Sequence, residues 1–196
     1  MLASKSARSA SKVAWSPQLP IGYVHKVISV AAAASVISLI KEQSDYDAIG
    51  ISTAGQVNSK EGFIIYANQN IPNYTGTQIK KELEELFHVP VTVENDVNAA
   101  AMGEAIYGAG KDYKQFLMLT YGTGVGGATV TDKEVYYGSS YSASEFGAII
   151  THSDVRLAGN DYFDGCYEKY ASTTGLVKMA MEYNPELNNG RKFLKI

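Results

Sequence analysis

A single cysteine, Cys166, in 196 residues leaves no partner for an internal disulfide and rules out any cysteine-rich metal site. Long apolar runs are scarce too: the longest, Val27 to Ile40, falls short of the roughly 18 to 20 residues that a bilayer crossing needs. Basic surplus is missing, since 17 Lys and Arg against 20 Asp and Glu give a net charge of −3 and a pI near 5.6, which argues against nucleic acid as the default partner. With 45% hydrophobic and only 19% charged residues the chain can bury a core in one or two domains, and disorder is excluded as a global description.

Acid is absent from one stretch. Residues 1–41 carry Lys5, Arg8, Lys12, Lys26 and Lys41 but no Asp or Glu, so all 20 acidic residues lie beyond them. A basic head rich in Ser and Ala reads as an organelle transit peptide, or equally as the product of a wrong start site or a frameshift. Against the processing signal, the segment after Pro20 leads straight into structured sequence. The expected organisation is a basic head at 1–44 ending in a helix, an α/β lobe at 45–119 and a second lobe at 120–196.

What is present alternates. Val27–Ile40 has helical length, and Tyr46–Ser52 is strand-like. After a turn at Gly55 and the apolar segment 62–66, Thr75 is expected to cap a helix on which Ile79, Leu83 and Leu86/Phe87 repeat at helical spacing, ending near His88. Val89–Val93 reads as a strand and Asn98–Ile106 as an alanine-rich helix. Beyond Lys111 come hairpins: strands over 115–121, 125–131 and 135–137, with a polar turn at 131–134, then a late helix after Ser172. The chain has no internal repeat.

Three constellations carry chemistry. In Glu94-Asn-Asp-Val-Asn98, a carboxylate between a strand and a helix N-terminus is held ionised by backbone N–H groups, so Asp96 is a candidate base for a hydroxyl proton; the alternative is that Asp96 or Asn95 is simply a helix cap. In Thr120-Tyr-Gly-Thr-Gly-Val-Gly-Gly127, bare backbone N–H groups can approach phosphate, with a hydroxyl from Thr123; the alternative is a tight hairpin with no ligand. No Lys-Ser/Thr and no helix follows, so this is neither a Walker A loop nor a dinucleotide fingerprint. Glu145 and Glu168, each beside a glycine turn, could hold hydroxyls of a polar ligand or be solvated surface charges.

Taken in order, IGISTAGQVN at 49–58, NIPNYTG at 70–76, VENDVNAAAMGEAIYGAG at 93–110, LTYGTGVGGA at 119–128, SEFG at 144–147 and GCYEKYAST at 165–173 resemble the ROK family of sugar kinases and sugar-responsive repressors. The resemblance implies an α/β, actin/hexokinase-like (ribonuclease H-like) ATPase fold of two lobes, with sugar and ATP in the cleft between them. It implies Asp96 as general base, Asn95, Glu145 and Glu168 as sugar ligands, and Gly122, Thr123, Gly124 and Gly126 as an ATP phosphate loop. The Ser52–Gly55 turn is expected to close over the sugar. Phosphoryl transfer asks mainly for positioning and charge neutralisation, so Mg²⁺ is expected with ATP. The substrate implied is a hexose or an N-acetylhexosamine, phosphorylated in the cytoplasm.

Three departures qualify the match. The family's zinc site uses a His two residues after the Phe of the SEFG-like segment and three Cys before the final Glu; here the positions read Ala148 and RLAGNDYFDGC, so no structural zinc is expected, and the loop 152–165 must be held by packing or be mobile. His152 is expected to be a surface or packing residue rather than a displaced ligand. The family's Asp-x-Gly-Gly-Thr turn is missing from residues 1–45, and family kinases continue well past the position of Ile196. The expectation is a fragment or degenerate relative with little kinase activity, with an open sheet edge and uncovered helix faces that invite aggregation or a homodimer. A repressor would carry an amino-terminal helix-turn-helix, for which 40-odd residues broken by Pro17 and Pro20 leave little room, so the kinase is favoured.

Overall fold

In β2 (Ile49–Thr53) every second residue is buried, and in β5 (Val91–Asn95) Val91 and Val93 point the same way, so two β-branched strands with one common apolar face pair in parallel. The computed structural model describes residues 27–29, 40, 46–68, 71–158 and 163–190. Most of the basic head at 1–44, together with 69–70, 159–162 and 191–196, lies outside the described residues. The chain divides into two compact units after Asp112.

In the first unit, β1 (Val27–Ser29), β2 and β5 form a parallel sheet in the order β1-β2-β5, with Val27 opposite Gly50 and Ile51 opposite Val93. This corrects the expected helix over Val27–Ile40: its first residues are a strand. An apolar run has no period that separates strand from helix, and the open edge of β2 supplies backbone partners that decide for pairing. Ile40 is helical and buried. A hairpin of β3 (Gln56–Asn58) and β4 (Phe63–Tyr66) adds Val57 and Ile64 to a core of Ile40, Ile49, Ile51, Ile79, Leu83, Val91 and Val93.

Helix α1 (Ile79–Phe87) docks on that core through Ile79 and Leu83, one turn apart on a single face. Thr75 does not cap it: its hydroxyl accepts the N–H of Ala67 at 3.0 Å, while the first-turn N–H of Lys80 is taken by the carbonyl of Gly62 at 2.9 Å. With that donor already satisfied by β4's approach, the helix has less need of a side-chain cap. His88, at φ 56°, ends the helix, and Glu84 Oε1 accepts Val91 N at 3.0 Å, leading the chain into β5. Helix α2 (Asp96–Ile106) starts directly from β5 and buries Ala101, Met102 and Ala105.

The second unit opens with a meander of β6 (Gln115–Tyr121), β7 (Val125–Thr131) and β8 (Glu134–Val135), paired in the order β6-β7-β8. Because β6 bonds to β7 along its whole length, from Gln115 opposite Thr131 to Tyr121 opposite Val125, it belongs with the second unit; the division after Asp112 thus falls earlier than the 119/120 boundary read from the sequence. Asp132 and Lys133 both have positive φ, the geometry of a two-residue hairpin turn. A short 3₁₀ turn at Phe146–Ala148 precedes α3 (Ser153–Ala158), α4 (Tyr167–Ala171) and α5 (Thr173–Tyr183), the last capped by Ser172 Oγ accepting Gly175 N at 3.1 Å. Leu117 and Leu119 on β6 and Leu176 and Met179 on α5 are exposed. Among the described residues no helix is long and apolar enough to cross a membrane.

Candidate functional site

In the first unit the chemistry gathers where β5 becomes α2. Glu94, the penultimate residue of the strand, is a buried carboxylate, its Oε1 accepting Asn95 N at 2.8 Å and Asn98 Nδ2 at 3.2 Å. Asn95 is the helix cap: its Oδ1 accepts Val97 N at 2.9 Å and Asn98 N at 3.2 Å, while its Nδ2 donates to the carbonyl of Gly55 at 3.0 Å. Gly55 has φ +100°, where a Cβ would come within 2.9 Å of the Tyr66 carbonyl, so the turn after β2 needs glycine to reach Asn95. Thr53, buried beside it, shares a 2.6 Å hydrogen bond with the Tyr74 hydroxyl.

Asp96 occupies the first helical position, one Oδ1 accepting Val97 N at 3.0 Å. The residue is exposed, yet the protein packed around its carboxylate removes enough water to raise its pKa above the ordinary aspartate value of 3.8. The N–H groups of Val97 and Asp96 and the Asn95 amide pull the other way and do not cancel that effect. A carboxylate so placed is a better proton acceptor than a free one. Asn95→Ala should cost about 1–2 kcal/mol of stability, because two helix N–H groups and the Gly55 carbonyl lose their partner together. Urea unfolding measures this, and an unchanged midpoint would mean that the cap bonds carry no stability.

In the second unit the glycine bend between β6 and β7 is held from the α4–α5 segment. Glu168 Oε2 accepts Val125 N at 2.9 Å, and a Cβ at Gly124 would come within 3.0 Å of the Glu168 Cδ. Thr174 Oγ1 donates to the Thr123 carbonyl at 2.7 Å; Thr173 donates to the Gly122 carbonyl through its N–H at 2.9 Å and again through its hydroxyl. Gly147, in the 3₁₀ turn that follows Glu145, packs beside Glu168, a Cβ there lying 3.3 Å from its Oε2. At Gly122, by contrast, a Cβ would meet nothing within 4 Å.

Residues 24–195 match the family model described as ROK family. The chain belongs to the ROK family. A Clostridium perfringens protein of uncharacterised function is 49% identical over 119 residues, which is 61% of this chain and 40% of that protein. The glucokinase of Streptomyces coelicolor is 36% identical over 155 residues, 78% of this chain and 47% of the enzyme. Repressors match too: the xylose repressor of Bacillus subtilis is 31% identical over 140 residues, 69% of this chain and 35% of the repressor. Among solved structures, a ROK family glucokinase from Streptomyces griseus in complex with glucose and AMPPNP superposes with a TM-score of 0.63 at 32% identity, covering 79% of this chain and 52% of that one. The chain therefore spans about half or less of the length of these relatives, and its α/β fold is the actin/hexokinase-like one of the ROK sugar kinases.

Within this ROK chain the structure brings Gly55, Asn95 and Asp96 together in the first unit, and Gly124, Glu168 and the Glu145–Gly147 segment together in the second. Asn95 proves to be the helix cap that the sequence left as an alternative for it or Asp96. Glu94 stood in the motif but received no role, although a carboxylate following Val91 and Val93 on the strand was a visible signal. Where the family places its zinc His, Ala148 instead offers its carbonyl to the buried Cys166 thiol at 3.4 Å. The ends of the 152–165 segment are fixed: His152 N donates to Gly165 O at 3.0 Å, Tyr167 N to Ile149 O at 2.8 Å, and the His152 ring stacks on Tyr170 at 3.7 Å. Among the described residues no group of three His, Cys, Asp or Glu is arranged to hold a metal ion.

Proposed function

We propose that this chain is the sugar- and phosphate-handling part of a ROK kinase that transfers the γ-phosphoryl group of ATP to a hydroxyl of a hexose or N-acetylhexosamine. The observation that carries this reading is Asp96 at the start of α2 with a raised pKa, seated on Asn95 and the Gly55 turn. The Streptomyces griseus glucokinase complex, with glucose and AMPPNP both bound, supports the pairing of a sugar with an adenine nucleotide. Asp96 takes the proton of the attacking hydroxyl; the sugar oxygen forms its bond to γ-phosphorus as the bond from γ-phosphorus to the β,γ-bridging oxygen breaks, and ADP leaves. Asn95 and Gly55 in the first unit, and Glu145 and Glu168 in the second, are each assigned to sugar hydroxyls, and Gly122, Thr123, Gly124 and Gly126 to the phosphates, the open space at Gly122 suiting close approach. Mg²⁺ bound with the nucleotide would neutralise charge on the transferring phosphoryl group. The donors at the family's zinc position, one thiol beside an alanine, do not suit that ion, and no structural zinc is assigned. The protein works in the cytoplasm.

The test is calorimetric titration of the chain with glucose, with N-acetylmannosamine and with AMPPNP plus Mg²⁺, alongside a coupled assay of ADP release. Saturable binding of one sugar and of the nucleotide is the expected result, and failure to bind either overturns the reading. Similarity to the xylose repressor favours one alternative, the sugar-binding portion of a ROK repressor. Sugar binding with salt-dependent affinity for operator DNA and none for AMPPNP would establish it.

A further inference from the structure

Four glycines between 122 and 127 leave the bend free to sample many backbone conformations, which a phosphate ligand would have to freeze out. The fold removes that freedom from outside the loop. Gly122 O is held by the Thr173 N–H and hydroxyl, Thr123 O by the Thr174 hydroxyl, and Val125 N by Glu168, so three of four consecutive residues are anchored to the segment 168–174. In a trans peptide the carbonyl and the N–H point in opposite directions. With the carbonyls of Gly122 and Thr123 turned toward the first turn of α5, the N–H groups of Thr123 and Gly124 are turned away from it. Among the described residues these two N–H groups have no hydrogen-bond acceptor. Two successive N–H groups with a common direction form an anion-binding concavity.

We propose that Thr173 and Thr174 are positioning residues for the nucleotide: by holding the carbonyls of Gly122 and Thr123 they aim the Thr123 and Gly124 N–H groups at phosphate oxygens. The inference rests on the reading that this bend receives ATP phosphate and adds what orients it. Neither threonine touches the nucleotide; both act through the loop backbone. Thr173 keeps its N–H bond when its hydroxyl is lost, so Thr174 and the pair are the informative positions.

Thr174→Val removes the donor while conserving shape, Thr174→Ser restores it, and the double variant Thr173→Val/Thr174→Val removes both hydroxyls. AMPPNP with Mg²⁺ and glucose are titrated separately into each variant, with thermal unfolding followed in parallel. The double variant is expected to bind AMPPNP about tenfold more weakly, the loss of one to two hydrogen bonds' worth of preorganisation, with glucose affinity within twofold of the parent and Thr174→Ser close to the parent for both ligands. Parental AMPPNP affinity in the double variant overturns the inference and leaves the kinase reading standing. Glucose and AMPPNP affinities falling in step, or no rescue by serine, also overturn it, because the threonines would then be holding the unit together rather than aiming the bend. A parent chain that binds no AMPPNP removes the kinase reading itself.

Discussion

Asp96→Asn is expected to lower whatever sugar-dependent ADP release the chain supports by about 10²- to 10⁴-fold, the range that a positioned general base contributes, while glucose affinity stays within a few-fold of the parent. The substitution is close to isosteric, and an amide oxygen can still accept the Val97 N–H that Asp96 Oδ1 now accepts at 3.0 Å, so the helix start and the Asn95 cap survive. What is lost is the ability to take a proton. The pH profile gives an independent reading. Only the ionised carboxylate can act as base, so turnover should fall as pH drops through the Asp96 pKa, and desolvation places that acid limb above the ordinary value of 3.8. In Asp96→Asn the limb should vanish from the residual rate. Retained turnover with an unchanged acid limb would take Asp96 out of the base role and leave it as a first-turn acidic residue favourable to the helix dipole.

The elements that a single sequence disclosed best are those whose signal is local. The β5–α2 junction follows from an apolar strand, a capping Asn and an alanine-rich helix in succession, and the β7–β8 hairpin from a polar pair, Asp132 and Lys133, between strand-like runs. Where a distant partner decides, the sequence misleads. Val27–Ser29 reads as the start of an apolar helix until the edge of β2 supplies its hydrogen bonds, and Thr75 reads as a cap until the Ala67 N–H claims its hydroxyl. The second site shows the same limit. Glu168 could be named from its motif, but its bond to Val125 N joins residues 43 apart in the chain, and the Thr173 and Thr174 contacts to the bend span 51. Candidate residues are thus visible as types beside turns, whereas the packing that aims them is a property of the folded unit. Asn95 illustrates the overlap: a cap and a ligand call for the same short polar side chain, and the structure spends one amide hydrogen and the carbonyl oxygen on the fold.

Gly147→Ala should cost about 1–3 kcal/mol of stability, the usual penalty for forcing an extra methyl into a filled site, whereas Gly124→Ala should cost about 1 kcal/mol, that of one lost hydrogen bond, and act chiefly on the ligand site. Both glycines face Glu168, but they differ in what could move aside. A Cβ at buried Gly147 would overlap the Val125 carbonyl, which belongs to the backbone of β7 at its pairing with Tyr121 and cannot retreat without opening the hairpin. A Cβ at Gly124 would overlap only the carboxylate of Glu168, the far end of a flexible side chain that can swing away. Its departure breaks the 2.9 Å bond to Val125 N and displaces a group assigned to the sugar. Urea unfolding and glucose titration of the two variants separate the cases: the larger fall in midpoint for Gly147→Ala, and a smaller fall with weakened glucose binding for Gly124→Ala. Equal midpoints in both variants would show that the 3₁₀ turn can shift to make room, and that Gly147 is not the point at which the Phe146–Ala148 segment is locked against the glycine bend.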